Sequence, residues 1–461
     1  MRRMSLTTTT IIESFKLNLK ACVREVAGKR KVFSASWQNK DVFVKVFIHP
    51  DSAERHWKRD VEGIKLFADN NILSPALLWS GKFPKLESVS NENAFGIILE
   101  AIPNPEPLSG KWEKTKDKAS LVQKIIEVIA EHHNAGLIQS DLHFGNFLFS
   151  DGKCYSLDGD ALQKFDKAPI EKAASNYALL TAQAEVIHEN LFVDAIPKYC
   201  ELTGFNEDKF SEYVHKSLMP LRKKRCHNLL KKIYRKCTAI NTYNSPGRRS
   251  FINSKYDSPA LRKCIDNPEN YFPKDKDQLL KNGNSATVAL IEVDGKELVV
   301  KRYNYNKNLK TFIRRFRKSR ASTSWSNAFR LQNYGMKTPE PYALIETFKG
   351  PMVDHAYFIA EHIKGNDLLD VLSKNENKEE TQLICQQMKD IFTVWKKCKI
   401  AHGDCKATNF IYHENEVYII DLDAMQEMNS PTTFAKAHEK DLKRWMKNWG
   451  DSQNFTREMF S

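Results

Sequence analysis

Two segments of the chain share one order of apolar and polar positions. The segment KASLVQKIIEVIAEHHNAGLI places Leu121, Ile125, Val128 and Ile129 at helical spacing, and its pattern ends near Gly136. The later segment EETQLICQQMKDIFTVWKKCKI has the same periodicity. The pattern therefore predicts two equivalent amphipathic helices, one in each half of the chain.

Each predicted helix is followed by a polar loop and then by two short apolar runs. The runs lie in NFLFSDGKCYSLD and in NFIYHENEVYIID, with Asp-Gly and Glu-Asn between them. Short runs of this kind joined by such a turn predict a β-hairpin. Each copy is therefore predicted to contain a helix, a polar loop, a strand, a turn, a second strand and an acid.

Three polar positions recur at the same spacing in the two copies. They are Asp141, Asn146 and Asp158 in the first copy and Asp404, Asn409 and Asp421 in the second. In both copies the Asn lies 5 residues after the first Asp, and the second Asp lies 17 residues after the first Asp. The two copies are separated by 263 positions (404 minus 141). A fixed offset of this kind indicates tandem copies of one domain.

A lysine within a run of β-forming residues precedes each copy of the motif. Lys45 lies in KDVFVKVF and Lys301 lies in KELVVKRY, 96 and 103 residues before the first Asp of each motif. A helical segment and an X-Pro corner follow in both copies. The similar but unequal gaps are expected if the two copies differ only in their loops.

A stretch rich in Pro, Ser, Asn and charged residues separates the copies. Such a composition predicts a linker at 242–275. We therefore expect one domain at 1–241 and a second at 276–461.

The composition is that of a globular protein with a basic surface. Of 461 residues, 41% are hydrophobic and 11% aromatic, which is enough for packed cores and argues against disorder. The net charge is +14, from 71 Lys and Arg against 57 Asp and Glu. This charge favours anionic partners such as acidic lipid, phosphorylated substrates or nucleic acid, and it does not choose among them.

The cysteines and the apolar runs bear on the cellular compartment. Nine cysteines without a C-x-x-C pair are typical of a reduced protein that lacks a disulfide framework and a structural zinc. The sequence shows neither a signal peptide nor an apolar run long enough to cross a membrane. We expect a cytoplasmic protein whose membrane contact, if it makes any, is peripheral and at the inner face of the inner membrane.

The repeated polar residues suit phosphoryl transfer from ATP, which depends on positioning and charge neutralisation. A lysine can hold the phosphates, and carboxylate and amide oxygens are the ligands that Mg²⁺ prefers. An acid can accept the proton of the attacking hydroxyl, and Lys406, two residues after Asp404, can reach the transferred group.

The order of these residues resembles the protein-kinase-like fold. The second copy, with FRKSRASTSWSNAFRLQNYGMKTPEPYALIE and HGDCKATNFIYHENEVYIIDLDAM, is similar over 276–440 to the bacterial lipopolysaccharide kinases, which phosphorylate Kdo or heptose of the inner core. The first copy resembles them around its motifs only. The resemblance implies an α+β fold of two tandem protein-kinase-like bilobal domains, each with a small β-rich N-lobe and a mainly helical C-lobe.

The resemblance also implies roles for the repeated residues. Asp404 would be the catalytic base, Asn409 and Asp421 the magnesium ligands, and Lys301 the phosphate-binding lysine. The corresponding residues of the first copy are Asp141, Asn146, Asp158 and Lys45. Glu62 would orient Lys45, with Glu54 as the alternative, and Gly283 would belong to the nucleotide-binding loop.

The sequence also departs from the kinase pattern. The first copy has Gln139 and Ser140 where the second has His402 and Gly403, and it has His143 in place of the lysine. Asn327 lies near the place of the lysine-pairing Glu in the second copy. Neither copy has a full G-x-G-x-x-G, a D-F-G or an A-P-E. One copy could therefore be a degenerate kinase.

We therefore predict ATP- and Mg²⁺-dependent phosphorylation of a sugar hydroxyl of the lipopolysaccharide inner core. A small-molecule or Ser/Thr protein kinase would use the same residues, and a tandem pseudokinase scaffold remains an alternative. Nucleic acid is not an expected partner, because the basic residues lack interleaved aromatics. The basic run KNLKTFIRRFRKSR is expected to hold phosphates of a glycolipid head group, and the run LRKKRCHNLLKKIYRKC has the charge to meet an anionic membrane.

Overall fold

The computed structural model describes residues 5–275, 278–304, 313, 315–374 and 377–449. It contains two compact units, residues 1–184 with 188–222 and residues 185–187 with 223–461. The boundary at 222/223 differs from the predicted linker at 242–275. No described helix is long and apolar enough to cross a membrane.

The first unit begins with a six-stranded antiparallel sheet in the order β1-β2-β3-β4-β6-β5 and a helix, α1. The bounds are β1 Ser5–Ile12, β2 Phe15–Val26, β3 Arg30–Trp37, β4 Lys40–Phe47, α1 Ala53–Asp69, β5 Leu77–Lys82 and β6 Phe95–Glu100. Alternation in KDVFVKVF buries Val42, Val44 and Val46 in the core beneath the sheet and turns Lys45 to the opposite face.

The remainder of the first unit is mainly helical. Its elements are β7 Glu106–Pro107, α2 Leu108–Lys114, α3 Lys118–Asn134, β8 Leu137–Gln139, β9 Phe147–Ser150, β10 Lys153–Ser156, β11 Leu162–Lys164, α4 Ile170–Thr181, α5 Glu189–Val193, α6 Ile196–Thr203 and α7 Glu207–Lys232, the last continuing into the second unit. The predicted helix is confirmed as α3: Leu121, Ile125 and Ile129 are buried, and the chain leaves the helix through Gly136 at a φ of 70°.

The predicted hairpin of the first copy is also confirmed. It consists of β9 and β10, which pair in antiparallel register. Asp151 and Gly152 at its tip have φ of 48° and 78°, the left-handed conformation that a two-residue hairpin turn requires.

The second unit contains a seven-stranded antiparallel sheet in the order β12-β13-β17-β18-β16-β15-β14, with two helices. The bounds are β12 Ile240–Thr242, β13 Arg248–Asn253, α8 Pro259–Asp266, β14 Lys281–Asn282, β15 Ala286–Val293, β16 Lys296–Tyr303, α9 Arg320–Asn333, β17 Pro341–Lys349 and β18 Met352–Glu361.

The segment predicted as a linker is part of this sheet unit. Strand β13 pairs with β17, and the buried side chains of Leu261 and Ile265 on α8 pack in one cluster with Ile252 of β13 and Leu298 of β16. The apolar residues in RRSFIN and PALRKCID supply this packing: β13 buries Phe251 and Ile252 in two different clusters and α8 buries Leu261 and Ile265, although the segment as a whole is polar.

The rest of the second unit repeats the helix and hairpin of the first. Its elements are β19 Asn366–Asp367, α10 Leu368–Lys374, α11 Lys378–Cys398, β20 Ile400–Ala401, β21 Phe410–His413, β22 Glu416–Ile419, β23 Gln426–Glu427 and α12 Pro431–Met446. Both the predicted helix, α11, and the predicted hairpin, β21–β22 with Glu414 and Asn415 at its tip, are confirmed. The chain is thus a mixed α and β protein.

Candidate active site

Lys301 projects from strand β16, an interior strand of the sheet of the second unit, toward two carboxylates. Its Nζ lies 2.5 Å from Asp421 Oδ1 and 2.8 Å from Asp423 Oδ2. Burial alone would lower the pKa of Lys301, but the neighbouring negative charges outweigh burial and raise it above its ordinary value. The Lys301 ammonium group is therefore protonated and held in place between the two carboxylates.

The β21–β22 hairpin places Asn409 and Asp421 next to each other. The Ile420 backbone N–H donates to the Asn409 carbonyl oxygen at 2.9 Å, and Asn409 Nδ2 donates to the Asp404 carbonyl oxygen at 2.7 Å. Asp421 has a φ of 58°, a left-handed conformation that Asp tolerates better than most residues. Burial would raise the pKa of Asp421, but Lys301 holds it below its usual value, so both groups of the pair are charged.

These residues line one cavity of about 470 Å³. Lys301, Asn409 and Asp421 line part of it, whereas the rest of the lining includes the apolar side chains of Val288, Val299, Phe358, Ala360 and Ile420 and the segment 361–363. Such a lining suits a ligand with a flat apolar ring and a charged tail. Three of the predicted residues are thus brought together in a single cavity.

Asp404 is not among the described residues that line this cavity, and its carboxylate is held by two cations. Its Oδ1 lies 2.6 Å from Arg444 Nη2, and its Oδ2 lies 3.2 Å from Lys406 Nζ. The loop itself is anchored by Asp441 of α12, which accepts the backbone N–H of His402 at 2.6 Å and that of Gly403 at 3.0 Å. The sequence pattern did not identify Arg444 or Asp441, since both lie beyond the motif.

His402 is held by a hydrogen bond to the strand that ends at the hairpin acid. Its Nε2 lies 3.0 Å from the Ile420 carbonyl oxygen, and burial lowers its pKa, so the neutral ring donates this bond. Gly403, at a φ of 81°, cannot be replaced easily, because a Cβ there would lie 2.7 Å from the Ala424 carbonyl oxygen.

The acid that completes the lysine pairing in the second unit is Asp423. Its side chain is 6% exposed and also accepts Arg320 Nη2, from the start of α9, at 3.0 Å. Among the described residues, Asn327 forms no hydrogen bond with Lys301. Its Nδ2 donates instead to the carbonyl oxygens of Leu422 and Met425 at 2.8 and 2.9 Å. Helix α9 therefore contributes a cation and an amide where a kinase helix is expected to contribute an acid.

Gly283 lies in the turn between β14 and β15 and is not among the described residues that line the cavity. Its N–H donates to the Ala286 carbonyl oxygen at 3.1 Å. Lys281, two residues earlier, does line the cavity and contributes to the low pKa of Asp421. The loop thus reaches the cavity through a lysine that the glycine pattern did not indicate.

The first unit has a similar group of charges around Lys45. Its Nζ lies 3.0 Å from Asp158 Oδ1 and contacts Asp60 of α1, and Arg30 lies 3.4 Å from Asp158 Oδ2. Burial would raise the pKa of Asp158, but Lys45 and Arg30 lower it to about 2. Burial also raises the pKa of Asp60, which is 1% exposed.

The prediction that Glu62 orients Lys45 is wrong, because Asp60 does so and Glu62 is exposed. Two residues on a helix differ by about 200° around the axis, so the two side chains face opposite ways. The Asp60 face lies inward because Gly63 packs against the turn at Gly159, where a Cβ on Gly63 would lie 2.1 Å from the Gly159 carbonyl oxygen. The alternative, Glu54, pairs with Lys58 at 2.7 Å.

The motif loop of the first unit differs in detail from that of the second. Asp141 is exposed, and Asn146 Oδ1 accepts the His143 backbone N–H at 2.7 Å. Gln139 takes the place of the histidine, since its Nε2 donates to the carbonyl oxygens of Leu157 and Asp158 at 3.1 and 2.7 Å. The hairpin is thus anchored in both units, by a different side chain in each.

Two adjacent buried histidines of α3 support this part of the first unit. His132 Nε2 lies 2.8 Å from Ser156 Oγ, and His133 Nε2 lies 3.1 Å from Asn176 Oδ1. Burial lowers their pKa values to about 3 and about 4, so both rings are neutral near pH 7.

Residues 271–459 match the model of the lipopolysaccharide kinase (Kdo/WaaP) family. This range contains the Lys301 cavity and the Asp404 loop. No curated protein matches the chain significantly.

Proposed function

We propose, from the match of residues 271–459 to the lipopolysaccharide kinase (Kdo/WaaP) family, that the second unit transfers the γ-phosphoryl group of ATP to a hydroxyl of the lipopolysaccharide inner core, on Kdo or heptose. The observation that carries the proposal is the single cavity shared by Lys301, Asn409 and Asp421. A kinase needs its phosphate-binding cation and its metal ligands to face one nucleotide, and this cavity supplies both.

The residues present fit ATP with Mg²⁺. The apolar side of the cavity would take the adenine ring and Lys301 the phosphates. The Asn409 amide and the Asp421 carboxylate are oxygen donors of the kind that, with nucleotide phosphates, complete a magnesium site. The bound Mg²⁺ would neutralise charge on the phosphates during transfer.

Asp404 would accept the proton of the attacking sugar hydroxyl. The hydroxyl oxygen forms a bond to the γ-phosphorus, the bond between that phosphorus and the β–γ bridging oxygen breaks, and ADP leaves. Arg444 and Lys406, which hold the two carboxylate oxygens of Asp404, would fix its orientation, and Lys406 would also neutralise charge on the transferred group.

We extend the proposal to the whole chain as two tandem kinase-like domains, each with a β-rich and a helical lobe. Lys45 with Asp158 supports this interpretation for the first unit, in which Asp141 would be the base and Asn146 and Asp158 the metal ligands. The boundary between the two proposed domains then lies at 222/223 instead of at the predicted linker 242–275. Residues 185–187 are an exception, because they group with the second unit.

The substrate class implies where the protein works. A nascent inner core is an anionic glycolipid, and the net charge of +14 favours its approach. We propose a cytoplasmic protein that meets this substrate at the inner face of the inner membrane and has no nucleic-acid partner.

The test is ATP consumption by the full-length protein with purified dephosphorylated core oligosaccharide, with mass spectrometry of the product. We expect one added phosphate, loss of turnover in Asp404→Asn, and retained turnover in the control Lys389→Gln, whose residue is on α11. Asp141→Asn assigns the first unit: a loss there as well means that both units are needed. Turnover only with a soluble sugar or a protein would contradict the assigned substrate, and no turnover with any acceptor would favour a scaffold.

A further inference from the structure

A groove of about 970 Å³ lies in the second unit, beside the start of α9 and against β13 and β17. Among the described residues, none that lines this groove also lines the Lys301 cavity. The groove is therefore a separate concave surface that the proposed phosphoryl transfer does not use.

The charged side chains of the groove are almost all cations. They are Arg248, Arg249, Arg315, Arg317 and Lys318, against a single carboxylate among the described lining residues, Glu346. The predicted glycolipid-binding run KNLKTFIRRFRKSR ends here, with residues 315–318 in the lining; residues 307–312 and 314 of that run lie outside the described part of the chain.

Two of the five cations are neutralised by protein carboxylates. Arg249 Nη2 lies 3.0 Å from Glu346 Oε2, and Arg315 Nη2 lies 2.9 Å from Asp354 Oδ1. Glu346 is 3% exposed and also accepts Ser319 Oγ at 2.6 Å, so the acid is fully engaged and presents little negative charge to a ligand.

Two other cations donate hydrogen bonds to neutral acceptors among the described residues. Arg248 Nη1 donates to the Asp266 carbonyl oxygen at 2.6 Å, and its buried Nη2 has no hydrogen-bond partner in the described part of the chain. Lys318 Nζ donates to Ser326 Oγ at 2.7 Å, and burial together with Arg330 lowers its pKa to about 8. Glu346 offsets part of this lowering at Lys318, and a bound anion would supply further counter-charge to both groups.

The groove also contains an exposed aromatic side chain. Phe316, between two of the arginines in the sequence, lines the groove and is 53% exposed. A large apolar side chain among cations suits a ligand that joins an anionic group to an apolar one, as at a lipid surface.

We propose that this groove is a second binding site, for the phosphorylated head group of an anionic amphiphile, with Arg248, Arg317 and Lys318 on the phosphate and Phe316 toward the apolar part. Phosphate is the favoured anion because guanidinium groups bind its oxygens in a fork geometry and an ammonium adds a point charge. The site does not depend on the proposed phosphoryl transfer, since its residues are distinct from those of the catalytic cavity.

The test is binding of the full-length protein to phosphatidylcholine vesicles with and without phosphatidic acid, measured by sedimentation. The main variant is Arg317→Glu, because Arg317 is exposed and its replacement should leave the fold intact. Each surface charge contributes about fivefold to membrane affinity, so a change of two charges should weaken binding about 30-fold. Lys318→Gln should weaken it about fivefold, and the matched charge change Lys389→Glu on α11 should have much less effect.

Binding of Arg317→Glu at the wild-type level, or an equal loss in Lys389→Glu, would overturn the proposal. A parallel titration with soluble glucose 6-phosphate distinguishes the source of the phosphate. Binding of the sugar phosphate alone, with the same dependence on Arg317, would overturn the assignment to an amphiphile. Asp404→Asn should bind the vesicles normally even though it is expected to lose turnover, so the two proposals can fail separately.

Discussion

Replacement of Asp441 by Asn tests how a buried carboxylate positions the proposed catalytic base. Asp441 is 1% exposed, and its two oxygens accept the backbone N–H groups of His402 and Gly403. These two residues immediately precede Asp404. The carboxylate thus anchors the loop without touching the cavity that holds Lys301.

The size of the effect follows from the two hydrogen bonds. A bond to a charged acceptor contributes about 1.5–3 kcal/mol, and a neutral one contributes about 0.5–1.5 kcal/mol. The Asn side chain keeps one oxygen, so one bond is weakened by about 1 kcal/mol, while the amide NH₂ faces the other backbone N–H and that bond is lost. The sum is about 3 kcal/mol, which lowers the Tm of a unit of this size by about 6–12 °C.

The assay combines calorimetry of the second unit's transition in the full-length protein with steady-state kinetics of phosphoryl transfer. We expect kcat to fall by about 100-fold, because a displacement of the base by about 1 Å is enough for such a loss, whereas the KM for ATP should change little. The matched control is Glu439→Gln on the same helix. Among the described residues Glu439 forms an ion pair with the exposed Lys443, and its replacement should change stability by less than about 0.5 kcal/mol. An unchanged Tm and kcat in Asp441→Asn, or an equal loss in the control, would refute the reasoning.

Three further predictions concern the first unit. In thermal melts, Gly63→Ala should destabilise this unit by about 1–3 kcal/mol, because the added Cβ overlaps the Gly159 backbone. The control Gly110→Ala on α2, where a Cβ meets open space, should be neutral or stabilising. Equal effects of the two substitutions would contradict the packing of Gly63 against Gly159. Asp60→Asn should weaken binding of an ATP analogue, measured by calorimetry, and Glu62→Gln should not; the reverse order would restore the original prediction. The two buried histidines of α3 have pKa values below the ordinary 6.5, so the unfolded chain binds more protons than the folded chain as the pH falls below 6.5. The free energy of unfolding, measured by chemical denaturation, should therefore fall toward pH 5 by up to about 1.4 kcal/mol per histidine and pH unit. A constant free energy of unfolding over this range would contradict the assignment.

Local pattern was enough to predict several elements. Helices α3 and α11 and the hairpins β9–β10 and β21–β22 follow from periodicity and turn residues within short segments, so neighbouring residues were enough to predict them. The structure differs from the predicted linker at 242–275 because local pattern does not show contacts with distant segments. Strand β13 and helix α8 are stabilised by partners far along the chain, and their few apolar residues lie in a segment that is polar as a whole.

By itself, the sequence determined that a lysine, two aspartates and an asparagine recur in order, because the identical spacing of the last three and a lysine at a similar distance before them are visible without coordinates. Only the tertiary structure decided which acid meets each lysine. Asp60 rather than Glu62 faces Lys45 because of the rotation of α1 about its axis. Asp423 contacts Lys301, which lies 122 positions earlier in the sequence, because the sheet brings the lysine to the turn that follows the hairpin. Contacts of this kind depend on helix rotation and on packing between distant segments, which no local pattern records.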